Sequence, residues 1–191
     1  MGDWRVMAPV EKAPSGLLVL SYPDVAPEDM AWIEGIRAEH HPRQAAIAAH
    51  VTLVFPVAIV DPPVLIEEVR RQVAGSPLVP FTLRCAVPFR DQVSGATDVF
   101  LVPDEGFGAI VRLHDRLYAG LLAPALRLDL PFVPHLTVAH LADPVAAKLL
   151  ADRLNDESFA IPGTLSSVDV VQRDGADVQT LASVPLGRKV E

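Results

Sequence analysis

The stretch His50-Val51-Thr52-Leu53-Val54-Phe55-Pro56 has a counterpart in Pro134-His135-Leu136-Thr137-Val138. In an extended strand, residues i and i+2 leave the same face. Each histidine therefore sits beside its threonine hydroxyl, while Val51 and Leu53, or Leu136 and Val138, turn into an apolar layer. With six His and six Thr in 191 residues, two such pairs arise by chance in only about 1–2 % of cases. One His-x-Thr segment alone reads as a strand-end histidine with threonine present for its β-propensity. Two in matching surroundings read as a paired site.

The surroundings do match. Leu17 to Ser21 is an apolar run ended by Pro23, a buried strand; Glu28 to His40 has helical spacing; His50 to Val57 is the first motif strand. Asp61-Pro62 reads as an N-cap with proline at the first helical position, opening a helix to about Ala74, and Pro80 to Val87 is strand-like. The order then restarts with a strand over Asp98 to Val102, a helix over Phe107 to Leu122, the second motif strand over Phe132 to Leu141, and a helix from Asp143-Pro144 to Asn155. Matching landmarks (Leu17 and Thr97, His50 and His135, Asp61 and Asp143) are offset by 80, 85 and 82 residues, which points to a β-α-β-α-β unit used twice. Leu165 to Gln172 and Val178 to Leu186 read as two further strands around the turn-prone Arg173-Asp174-Gly175. The expected organisation is an unstructured leader over 1–15 and one bilobal domain over 16–191, with repeat halves near 16–90 and 96–187.

A chain that is 50 % hydrophobic and 21 % charged can bury a sizeable core. No apolar run reaches the roughly 18–20 residues needed to span a bilayer, and the first 16 residues lack a basic region followed by an apolar one. A single cysteine, Cys85, fits a reducing cytoplasm, and its strand pattern suggests a buried structural thiol. Net charge −8 opposes binding of a long polyanion. A small phosphate ester remains compatible, because a local cationic pocket acts within the roughly 8 Å screening length. Arg70-Arg71 lies in a helical pattern with Glu67 and Glu68 and reads as a solvated face. A monomer without cofactor or metal is expected.

Two imidazoles and two hydroxyls suit proton transfer at phosphorus. A cyclic phosphodiester opens when a base takes a proton from water and an acid gives one to the departing ribose oxygen. Histidine, with an ordinary pKa near 6.5, can do either. Both limbs of a bell-shaped rate profile are then expected within a couple of units of 6.5, with the base and acid unassigned. Other chemistries lack their residues: there is no His-Glu-x-x-His, no paired cysteine spacing, no P-loop and no Gly-x-Ser-x-Gly. Gly106-Phe107-Gly108 has Val111 where a dinucleotide fingerprint needs glycine, so it reads as the start of a helix. Tyr22 and Phe132 are weak candidates for stacking a base. The opposing class of function is a non-catalytic module holding a nucleotide or cyclic phosphate in the same groove.

Paired His-x-Thr strands 85 residues apart, preceded by a helix with Arg37 and Pro42 near its end, resemble the two-histidine phosphoesterases, among them the 2′-5′ RNA ligase-like proteins and cyclic phosphodiesterases. The resemblance spans about residues 16–187. It implies a bilobal α+β fold with two pseudo-symmetric sheets, flanking helices and a central groove. It further implies metal-free hydrolysis or transesterification of 2′,3′-cyclic or 2′-5′ phosphodiesters of nucleotides or RNA ends, with catalytic His50 and His135 and phosphate-binding Thr52 and Thr137. One departure is that many relatives carry an arginine shortly after the second motif, where this chain has His140. Strand parity turns His140 away from His135 and Thr137.

Overall fold

The computed structural model describes residues 16–187, apart from 43, 59, 92, 93 and 176; the leader expected over 1–15 lies outside them. Nine strands and four α-helices are described, in the order β1 (Gly16–Ser21), β2 (Asp24–Val25), α1 (Pro27–His40), β3 (Val51–Val57), α2 (Pro62–Val73), β4 (Val79–Arg90), β5 (Thr97–Glu105), α3 (Phe107–Leu117), β6 (Leu136–Leu141), α4 (Pro144–Asp156), β7 (Ile161–Leu165), β8 (Ser167–Asp174) and β9 (Asp177–Pro185). The strands form two antiparallel sheets, ordered β3-β1-β8-β9 and β2-β7-β4-β5-β6.

Each motif strand is thus the edge of its sheet, paired to the strand that opens its half: β3 to β1, and β6 to β5. Sheet membership crosses the boundary between the sequence halves. β4, from the first half, lies with β5 and β6, while β8 and β9 return to lie with β1 and β3. The two sheets interlock as a result, and one apolar core runs through both, from Val19 and Leu53 to Leu101 and Val138. Among the described residues no helix is long and apolar enough to cross a membrane.

Local chemistry accounts for the element ends. Asp143 caps α4 by accepting a hydrogen bond from the Val145 N–H, at 2.9 Å, with proline next in line. α3 begins at Gly106 in the left-handed region (φ 80), where a Cβ would lie 2.3 Å from the Pro80 carbonyl oxygen. The helix expected to reach Leu122 stops at Leu117, because Gly120 adopts φ 73 and opens a 3-10 segment containing Pro124. The second motif strand starts at Leu136 rather than Phe132, since Pro131 and Pro134 have no N–H for a ladder. Two strands escape the sequence reading. β2 is two residues long, and β7 contains Pro162 and Gly163, residue types that are unfavourable inside a strand. Arg70 and Arg71 pair with Glu67 and Glu68 within their helix, but the expected solvated face holds only for the exposed Arg70, Arg71 and Glu67: Glu68 is buried and also accepts from Gln72 and the Leu121 N–H.

Candidate active site

Both motif strands share one burial pattern. Over Val51 to Pro56 and over Leu136 to Leu141 it runs buried, half-buried, buried, buried, then two half-buried residues. Two adjacent buried residues break strict alternation, and the pairing shows the cause. Val19 faces Val54 but Leu20 faces Thr52, and Val99 faces Ala139 but Phe100 faces Thr137, so each strand carries a bulge directly after its His-x-Thr. The bulge returns the fifth residue after each histidine to the histidine's own face. Those residues are Phe55 and His140.

The placement of His140 is therefore corrected. Its Nδ1 lies 2.6 Å from Oδ1 of Asp98, its register partner on β5, and its ring centroid is 6.5 Å from that of His41. Asp98 also raises the pKa of His135 against burial, which locates the carboxylate near both imidazoles. The inserted residue reversed the parity on which the expectation rested. Cys85 requires the same kind of correction: a register shift between Leu83 and Cys85 leaves it exposed.

The two motif histidines are held identically. His50 Nδ1 lies 2.8 Å from the Ala48 carbonyl oxygen, and His135 Nδ1 lies 2.6 Å from that of Val133, two residues upstream in each case. A carbonyl can only accept, so each Nδ1 carries a proton and each neutral ring keeps its lone pair on Nε2. Both pKa values are lowered, first by burial. That of His50 falls to about 4, with Arg37, His135 and Arg173 lowering it further against the Ala48 carbonyl. That of His135 is lowered by burial, opposed by the Val133 carbonyl and by Asp98. His135 is thus near enough to act on His50 electrostatically. Thr52 and Thr137 are half-buried on the corresponding strand faces.

Supports for this arrangement include Glu34, His114 and Tyr118, which sequence reasoning did not single out, and Arg37, which entered there only through the family resemblance. Buried Arg37 donates to Glu34 Oε1 at 2.5 Å and to the Ile47 carbonyl at 2.7 Å, and the same Glu34 oxygen accepts from the Ala49 N–H at 2.7 Å. α1 thereby grips the segment whose Ala48 carbonyl orients His50. The outer edge of β3 is closed by α3: His114 Nδ1 lies 2.7 Å from the Leu53 carbonyl oxygen, and the Tyr118 hydroxyl accepts from the Phe55 N–H at 3.0 Å. Phe132 stacks on His114 with centroids 3.7 Å apart and planes 5° apart, which commits one face of that stacking candidate to bracing β3. Tyr22 does reach the site, its ring edge-on to His50 at 6.2 Å. Burial raises its phenol pKa, against a hydrogen bond with Thr180. On the other sheet Phe100 lies flat on His135 at 3.6 Å and 18°. Among the described residues no three His, Cys, Asp or Glu side chains gather into a metal-binding group.

Comparison with known proteins bears on the family and the fold. The family model of the 2′-5′ RNA ligase superfamily matches residues 23–177. The fold is similar to that of TT0787 of Thermus thermophilus (TM-score 0.63, 17% identity, covering 91% of this chain and 99% of that one). It is also similar to E. coli LigT complexed with 3′-AMP (0.60, 19%, 92% and 100%) and to Kluyveromyces marxianus Usb1 (0.53, 9%, 90% and 99%). Among curated proteins none matches. With the match covering most of the described chain, and the two sheets of these relatives reproduced, the chain belongs to the 2′-5′ RNA ligase superfamily, the two-histidine phosphoesterases.

Proposed function

We propose that the protein is a metal-independent phosphodiesterase that hydrolyses, or reversibly forms, 2′,3′-cyclic or 2′-5′ phosphodiester bonds of nucleotides or RNA ends. The observation that carries this reading is the pair of carbonyl-clamped imidazoles, each with Nε2 left for proton transfer and near enough to sense the other's charge. Their surroundings support one division of roles. Arg37 and Arg173 oppose a proton on His50, so His50 is the base; Asp98 favours one on His135, so His135 is the acid.

In the hydrolytic direction, His50 Nε2 takes a proton from the attacking water as its oxygen bonds to phosphorus. The bond from phosphorus to the ribose oxygen breaks, and that oxygen receives the proton on His135 Nε2. Each transfer contributes about 10²–10⁴ in rate. Thr52 and Thr137 donate to the non-bridging oxygens, where charge grows. E. coli LigT has been crystallised with 3′-AMP, ATP and NADP+, and a small nucleotide is the corresponding ligand here, bound by a monomer in the cytoplasm.

The test is turnover of 2′,3′-cyclic nucleotides, a 2′-5′ dinucleotide and ADP-ribose cyclic phosphate, each with and without EDTA. Activity that survives the chelator is expected. Loss with EDTA, restored by zinc or manganese, would make the histidines ligands rather than proton carriers. Tight binding without turnover would make the groove a nucleotide-binding module.

A further inference from the structure

We propose that Phe89 and Phe100 form the floor of a nucleobase subsite, and that the base it takes belongs to a nucleoside beyond the reacting phosphodiester, not to the ribose being opened. This rests on the reading of His50 and His135 as the phosphodiester site.

Three rings lie in one stack. Phe100 is parallel to His135 within 18° at 3.6 Å, and Phe89 is parallel to Phe100 within 18° at 5.3 Å. Register places them on one sheet face, with Thr137 opposite Phe100, Phe100 opposite Val87, and Asp98 opposite Phe89. Phe100 is enclosed between its neighbours at 9 % exposure, whereas Phe89 and Val87 remain 38 % and 39 % exposed. The apolar surface therefore begins at the acid histidine and runs outward along the sheet. Parallel rings that start at a motif histidine and end at an exposed phenylalanine suit one planar heterocycle better than a protein partner.

The stack also fixes a distance. β4 is two strands from β6, so Phe89 stands about 10 Å from the motif strand at the usual strand spacing. Between the open face of Phe89 and the imidazole lie two benzene rings. A base on the opened ribose is held close to phosphorus, because its sugar is fused directly to the cyclic phosphate, and falls short of that face. The second nucleoside of a 2′-5′ dinucleotide carries its base further out on the O5′–C5′ link and reaches it.

The experiment compares full-length wild type, Phe89→Ala and Phe89→Trp on 2′-5′ ApA, 2′,3′-cyclic AMP and glycerol 1,2-cyclic phosphate, which has no base. Stacking of one base is worth about 5- to 150-fold. The expected result is that Phe89→Ala reduces the kcat/KM preference for ApA over glycerol cyclic phosphate by that factor. Phe89→Trp should keep or increase it, and the preference for cyclic AMP over glycerol cyclic phosphate should hold. An unaltered ApA preference overturns the subsite; a cyclic AMP preference that falls equally overturns the assignment to the second nucleoside. If wild type turns over none of the three, the phosphodiesterase reading fails, and calorimetric titration with ApA against inorganic phosphate decides the subsite alone. Phe89→Ala must weaken ApA and not phosphate, and equal weakening or none overturns it. Circular-dichroism melts confirm that the variants fold.

Discussion

Free protein at neutral pH holds both motif histidines neutral, since burial lowers both pKa values and brings that of His50 to about 4. Yet the proposed reaction needs one imidazolium. The substrate itself supplies the bias. A phosphodiester charge about 4 Å from an imidazole, at an effective dielectric constant near 20, favours the protonated ring by about 4 kcal/mol, or about three pKa units. Asp98 already pulls in that direction at His135, whereas Arg37, Arg173 and a charged His135 all push against it at His50. Substrate binding should therefore draw up to one proton, onto His135.

Each single variant lacks one proton carrier, so a true substrate can serve as the ligand over the time of a titration. We expect calorimetry with 2′,3′-cyclic AMP at pH 7, in buffers of different ionisation enthalpy, to register uptake of up to one proton by His50→Gln and at most about half a proton by His135→Gln, since a rise of about three units from about 4 brings His50 only to the working pH. The rates follow with a definite sign. In the free protein the base is lost only as pH falls through about 4, and the acid is lost as pH rises through the depressed value of His135. The kcat/KM bell should then sit on the acid side of 6.5, while the basic limb of kcat moves up by as much as three units once phosphate is bound. Equal uptake in the two variants, or a basic limb at the same pH in kcat and kcat/KM, would refute the assignment.

Replacing His50 or His135 by Ala should each cost on the order of 10²–10⁴ in kcat/KM, with the double variant losing far less than the product. Thr52→Ala and Thr137→Ala should cost about 10–10³, read by the same assay, and leave the bell in place. Asp98→Asn removes the carboxylate that supports the His135 proton and should shift the basic limb of kcat/KM to lower pH; an unmoved limb would detach Asp98 from the acid. His114→Ala leaves the Leu53 carbonyl without its buried donor, which costs about 1–3 kcal/mol and lowers the melting temperature by several degrees.

Most of the scaffold was legible because its signals are local. Apolar runs mark β1 and β3, Asp-Pro pairs start α2 and α4, and the repeated His-x-Thr locates both motif strands. Long-range pairing is a different matter. Nothing in residues 79–90 announces that β4 joins the strands after it, and the two-residue β2 exists only because β7 offers it an edge. The supports around His50 were equally hidden. Glu34 and His114 are single polar residues on helices, and only the fold brings their side chains to the main chain beside the first motif.

The bulges mark where a simple rule failed and what the failure conceals. Strand parity holds from His50 to Thr52 and from His135 to Thr137, then one inserted residue reverses it in both strands. Because the insertion falls at the same place in each motif, the likeness of the two strands extends past the repeated His-x-Thr into the backbone itself, where sequence cannot display it. The residues that the bulges return to the histidine side are not equivalent. The first strand gains Phe55, a group without charge, and the second gains His140, tied to a carboxylate that also acts on His135. The two motif strands therefore share a bulge and differ in electrostatics, and under the proposed mechanism that difference is what separates a base from an acid between two otherwise similarly held histidines.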